Sequence, residues 1–185
     1  MVKYYSEEKM LDKIKVKIKK IQSGNYLITK RFEKLTFNPI MDKKAIQNFE
    51  NVNNVILPED YKEFIQTIGN GGAGPGLGVL PLDNKTSIID PRILSEEGKD
   101  KILLSEQFPY CKAWNDESFH NALEANADNL DVLRGNYFST KHISGSICFC
   151  DLGGGELFLL IITGPEAGNV WYDGRGNYGG IFPYS

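Results

Sequence analysis

The chain has 185 residues, 41% hydrophobic and 24% charged, which suits one globular domain with a single sizeable core and excludes a disordered chain. The formal net charge of -3 divides unevenly: residues 1–44 carry +7 and residues 45–185 carry -10, so the acidic main body argues against nucleic acid as a partner. The longest strongly apolar run, "LFLLIITG" (157–164), is too short to cross a bilayer. The charged start "MVKYYSEEKM" lacks the apolar core of a secretory leader. Three cysteines without framework spacing fit a reducing compartment. Together these place the chain in the cytoplasm, with no membrane contact. The charge asymmetry reads either as ordinary solvated faces or as an acidic surface that steers a basic partner.

In chain order, residues 6–21 carry two competing patterns. Met10, Leu11, Ile14, Ile18 and Ile21 follow helical spacing, whereas "KIKVKIK" (13–19) alternates as a strand does. The apolar stripe is the longer of the two, so a helix is predicted. "SGNYLIT" (23–29) reads as a turn and a short strand. Residues 42–49 read as a short helix capped by Asp42, and "LPEDYKEFIQTIGN" (57–70) as the clearest helix in the chain. In that helix Pro58 takes the first helical position, Glu59 and Asp60 complement the dipole, and Tyr61, Phe64, Ile65 and Ile68 form one stripe. Gly69 is expected to end it in the left-handed conformation. "LGVLPL" (77–82) is a short strand. Residues 82–108 show no sustained period, with a helix possible at 95–104, and residues 118–133 read as one helix closed by Gly135. The last third reads as an antiparallel meander: "SICFCDL", a "GGG" turn, "ELFLLIIT", a "GPEAG" turn and "NVWYD". Its middle strand is apolar on both faces and should be central.

The glycine-rich segments invite a ligand reading that fails. "GNGGAGPGLG" (69–78) follows a helix instead of preceding one, and no Lys comes after it, so it is no P-loop. "GRGNYG" (174–179) matches GxGxxG, but the residues beyond it leave no room for the helix a dinucleotide needs. Cys148 and Cys150, spaced to share one strand face, read as small buried hydrophobes. A zinc site with Cys111, His120 or His142, or a Cys–His nucleophile pair, is the rival reading. Asp151, before a glycine turn, can bond its own turn backbone. Trp171 reads as core or as recognition. No constellation reads as an active site, and no cofactor or metal is expected.

"LPEDYKEFIQTIGNGGAGPGLGVLPL" (57–82) and "ICFCDLGGGELFLLIITGPEAGNVWYDGRG" (147–176) resemble, in the same order, the two signature blocks of the SUKH superfamily, which includes the Smi/Knr cell-wall regulators and many bacterial immunity proteins. The resemblance implies an α+β fold with helices on a mostly antiparallel sheet; a single such domain is expected over residues 1–185, with 1–44 a basic helical extension that belongs to neither signature block. It implies turns built on Gly69, Gly71, Gly72, Gly74, Pro75, Gly164, Pro165 and Gly168. It also implies no catalysis and a protein partner: a cognate toxin, such as a nuclease, blocked by occlusion, or a cellular partner held by a regulatory scaffold. Trp114, Asp151, Tyr172, Asp173 and Arg175, polar or amphipathic and near strand ends, are the expected partner-binding residues. Family members commonly continue past the "W-x-D" strand into a further helix, where this sequence reads "GGIFPYS".

Overall fold

A computed structural model describes residues 7–22, 36–84, 86–92 and 101–184. The helices are α1 (Glu7–Gln22), α2 (Lys43–Asn53), α3 (Glu59–Thr67), α4 (Glu117–Ala125) and α5 (Leu130–Tyr137). The strands are β1 (Gly78–Val79), β2 (Ser146–Gly153), β3 (Glu156–Ile161), β4 (Val170–Asp173) and β5 (Ile181–Pro183). The five strands form one sheet in the order β1-β2-β3-β4-β5, every pair antiparallel. Single bridges lengthen both edges: Gly72 pairs with Val79 beyond β1, and Trp114 with Ile181 beyond β5. The expected α+β class is what the chain adopts. β3 is central, and Leu157 to Ile161 are all buried.

Cross-strand register assigns the two faces of the sheet. Leu157, Leu159, Trp171, Asp173 and Ile181 share one face, on which Phe108 meets Trp171 edge-on at 4.9 Å. The other face holds two rows, Phe158–Tyr172–Phe182 and Leu160–Val170, and the Tyr184 amide extends the second by donating to the Val170 carbonyl at 2.9 Å. α3 lies against this second face: Tyr61 meets Phe149 edge-on at 5.9 Å, and a cleft of about 610 Å³ between them is lined by Phe64, Phe149, Leu160 and Val170.

Local chemistry explains the helices. Asp42 caps α2 by accepting from the Ala45 amide at 2.8 Å. α3 buries Tyr61 and Ile65 as predicted, but Pro58 is its N-cap, one position outside the helix. Gly69 does not take the left-handed conformation; it is required because a Cβ there would strike the Asn38 carbonyl at 2.7 Å. The single helix expected over 118–133 is two. Asn126, at φ 48°, ends α4, and α5 then runs through Gly135 instead of stopping there. Asn tolerates the left-handed region well enough to break an apolar period. Most of 95–104 and all of "SGNYLIT" lie outside the described residues; Lys101 pairs with Ile89 as a bridge and is not helical. β5 is an addition that the sequence reading did not contain.

The glycine corner consumes its own amides. Gly69, Asn70, Gly71, Gly72, Ala73, Leu77 and Gly78 donate to carbonyls of Phe64, Pro39, Gly69, Val79, Thr36, Asp151 and Pro75. Donors engaged this way cannot cradle a phosphate. Gly72, at φ 112°, sits where the chain reverses, and a Cβ on it would meet the Thr36 carbonyl at 2.5 Å.

Candidate functional site

The "W-x-D-x-R" stretch at the end of β4 builds the most constrained feature of the molecule. Trp171, Asp173 and Arg175 are each fully buried, and alternation puts Tyr172 on the opposite face. Asp173 accepts from Arg175 through Nε (3.0 Å) and Nη2 (2.8 Å), and from Arg92 through Nη1 (3.1 Å) and Nη2 (2.7 Å). Arg92 also grips Asp90, with Nε to Oδ1 at 2.8 Å and Nη2 to Oδ2 at 2.6 Å. Two guanidiniums thus offset two carboxylates. Arg175 Nη1 then donates to the carbonyls of Tyr137 and Ser139, both at 3.0 Å, tying the end of α5 to the sheet. A backbone crevice lies alongside, where a Cβ on Gly176 would collide with the Gly155 carbonyl. With its charges internally balanced, this cluster is a scaffold and not an anion site.

Burial alone would raise the Asp173 carboxyl, but the guanidiniums of Arg175 and Arg92 outweigh it and hold the group down to about 2. His142 is lowered as well, by burial first and then by Arg175. Its Nε2 meets the Asn136 carbonyl at 2.9 Å, so that nitrogen carries the proton, while Nδ1 accepts from the Tyr110 hydroxyl. The ring stacks on Trp114 at 4.2 Å. Both shifts make acid destabilising. The unfolded chain takes up the His142 proton first, so stability falls as pH drops below 6.5. The Asp173 contribution, about 2 kcal/mol, is present above 3.8 and is lost as pH falls toward 2. Melting curves from pH 8 to 2 should show both steps, and His142→Phe should remove the first. An unchanged melting temperature between pH 7 and 5 would refute the His142 assignment.

Behind this scaffold lies the aromatic row. Tyr172 and Phe182 have ring centroids 4.8 Å apart, and Phe158 and Tyr184 4.4 Å. Phe158 is buried, but Phe182 is 37% and Tyr184 62% exposed, so the row opens to solvent toward β5. The Glu156 carboxylate accepts from Asn177 Nδ2 at 2.8 Å and lies near the Tyr172 hydroxyl; burial and then this carboxylate push the Tyr172 phenol up to about 12. Leu160 and Val170 join this row to the cleft under α3, whose rim carries Glu59, Asp60 and Glu63 and, paired to Glu59 at 2.6 Å, Lys62, leaving it net acidic. The result is one apolar strip with an acidic border.

The structure separates the five expected partner-binding residues. Tyr172 lies on the aromatic row. Asp173 and Arg175 are inaccessible and act from beneath it. Trp114 sits half-buried at the far edge, stacked on His142, Tyr110 and Tyr137. Asp151 closes its own turn by accepting from the Gly153 amide at 2.8 Å. Phe158, Phe182 and Tyr184 were missed; the i, i+2 spacing of the last two in "IFPYS" was the available signal. Cys148 and Cys150 do not share a face, contrary to expectation. A bulge at Phe149 pairs Cys148 with Leu159 and Cys150 with Phe158, which point opposite ways. The two thiols therefore cannot hold one ion. Burial raises both, Cys150 to about 11, so neither is a ready nucleophile.

Together these features define an α+β domain whose antiparallel sheet is braced by buried ion pairs on one face and presents a partly bare aromatic strip on the other. The chain belongs to the SMI1 / KNR4 family (SUKH-1), whose family model matches residues 41–183. That family binds partner proteins and is generally non-catalytic. No curated protein and no solved structure matches the chain. Among the described residues, no helix is long and apolar enough to cross a membrane, and no cluster of metal-ligating side chains occurs.

Proposed function

We propose that this chain is a cytoplasmic, non-catalytic immunity protein that neutralises a cognate toxin by covering its active surface. The observation that carries this reading is the strip of Tyr172, Phe182 and Tyr184 on the sheet face opposite the Asp173–Arg175 scaffold. Large aromatic side chains held rigidly and partly exposed are the usual energetic centre of a protein interface. The acidic border suits a basic target such as a nuclease and would make association faster at low salt. A contact of ordinary size would bury about 800 Å² of this chain, more than the strip alone, so Trp114 and Asp151 remain candidates for its rim. The alternative is a regulatory scaffold that uses the same strip on a cellular partner.

Co-expression with a toxin encoded beside it tests the proposal. A stoichiometric complex and survival of cells making the toxin are expected. No complex and no protection would reject immunity and leave the scaffold reading.

A further inference from the structure

α1 lies outside the matched region, and its chemistry complements the cleft beneath it. Between Glu7 and Gln22 it carries six Lys against three acidic residues. Its Ile14 lines the cleft, and Lys15 Nζ reaches Glu63 Oε1 at 3.8 Å. The opposing rim holds Glu59, Asp60 and Glu63, with Lys62 among them paired to Glu59 at 2.6 Å, so it stays net acidic, while the floor is Phe64, Phe149, Leu160 and Val170. A basic amphipathic helix therefore already touches, through Ile14 and Lys15, an apolar groove with an acidic lip, the elements of helix-in-groove recognition. The seating is loose: Ile14 keeps 38% and Val16 50% of its surface exposed, and Lys15–Glu63 is a long, half-exposed ion pair of small net value. The cleft also continues through Leu160 and Val170 into the aromatic row, so an occupant would touch both.

We propose that this cleft is the seat for a basic amphipathic helix supplied by the partner, and that α1 holds the seat until that helix replaces it. The inference deepens the protein-binding reading by assigning chemistry to the partner. Its test uses no toxin, so the two can fail separately. The probe is a fluorescein-labelled peptide with the sequence of residues 7–22, titrated into the full chain and read by anisotropy.

The peptide should bind the I14D/K15E chain about tenfold more tightly than the unaltered chain, because the resident helix is weakened. Reversing the rim, E59K/D60K/E63K, should weaken peptide binding about tenfold or more and flatten its salt dependence. These are surface positions, so circular dichroism should show the variant folded. Binding that is absent even from I14D/K15E, or indifferent to rim reversal, would overturn the proposal. So would a concentration-dependent dimer by light scattering that rim reversal dissolves, since the occupant would then be α1 of a second copy.

Discussion

Replacing Arg175 by Met should lower the melting temperature by roughly 10–15 °C, the largest loss expected from any single polar substitution in the described fold. The side chain is fully buried and donates to Asp173 and to the Tyr137 and Ser139 carbonyls. Its removal leaves Asp90 and Asp173 sharing one guanidinium, with two carbonyls bereft of their donor. Breaking such a network from one side costs about 3–5 kcal/mol, against a total stability of about 5–15 kcal/mol. Lys should rescue little, because an ammonium cannot span a bidentate carboxylate and two carbonyls at once. Arg92→Met should cost less, since Arg92 keeps 12% of its side chain in solvent and water can partly replace it. The double change D173L/R175M should cost less than the sum of its parts, because it removes both charges of one pair. A melting temperature within about 3 °C of the parent for Arg175→Met would show that the cluster is not the brace described here.

The second large effect concerns binding. Phe182→Ser with Tyr184→Ser should weaken the partner complex by roughly a hundredfold or more, at about 2 kcal/mol per interface aromatic, while moving the melting temperature only a few degrees. Those two rings are 37% and 62% exposed, so the fold gains little from them. Asp151→Ala offers the contrast. Its carboxylate is engaged by its own turn, so the change should reduce stability by about 1 kcal/mol and leave affinity within a few-fold. Calorimetric titration of both variants separates the two roles; a larger affinity loss for Asp151→Ala than for the aromatic pair would move the interface to the β1–β2 edge.

The difference between what could and could not be read from the sequence is physical. The β2–β3–β4 meander was legible because its apolar runs are bounded by "GGG" and "GPEAG", and hairpins are local. The α3 stripe was legible for the same reason. Asp173 and Arg175 stand out in the sequence only as partner-binding candidates near a strand end, since the group that pairs with Asp173, Arg92, lies 81 positions away in a stretch without period. A long-range ion pair leaves no local signature. The split between α4 and α5 depends on one Asn in the left-handed region, which no apolar spacing encodes. The shared face expected of Cys148 and Cys150 failed because strict alternation assumes a regular strand, and one extra residue at Phe149 turns Cys150 and Asp151 over before a second irregularity between Asp151 and Gly153. β5 went unread because a three-residue strand ending in Pro is intelligible only beside its partner.

Hydrogen exchange on the chain with and without its partner tests the central claim most directly. The account predicts new protection of backbone amides concentrated over residues 156–160 and 170–184, the strands that carry the aromatic strip. Protection confined to the glycine corner at residues 69–78, with those strands unchanged, would contradict it.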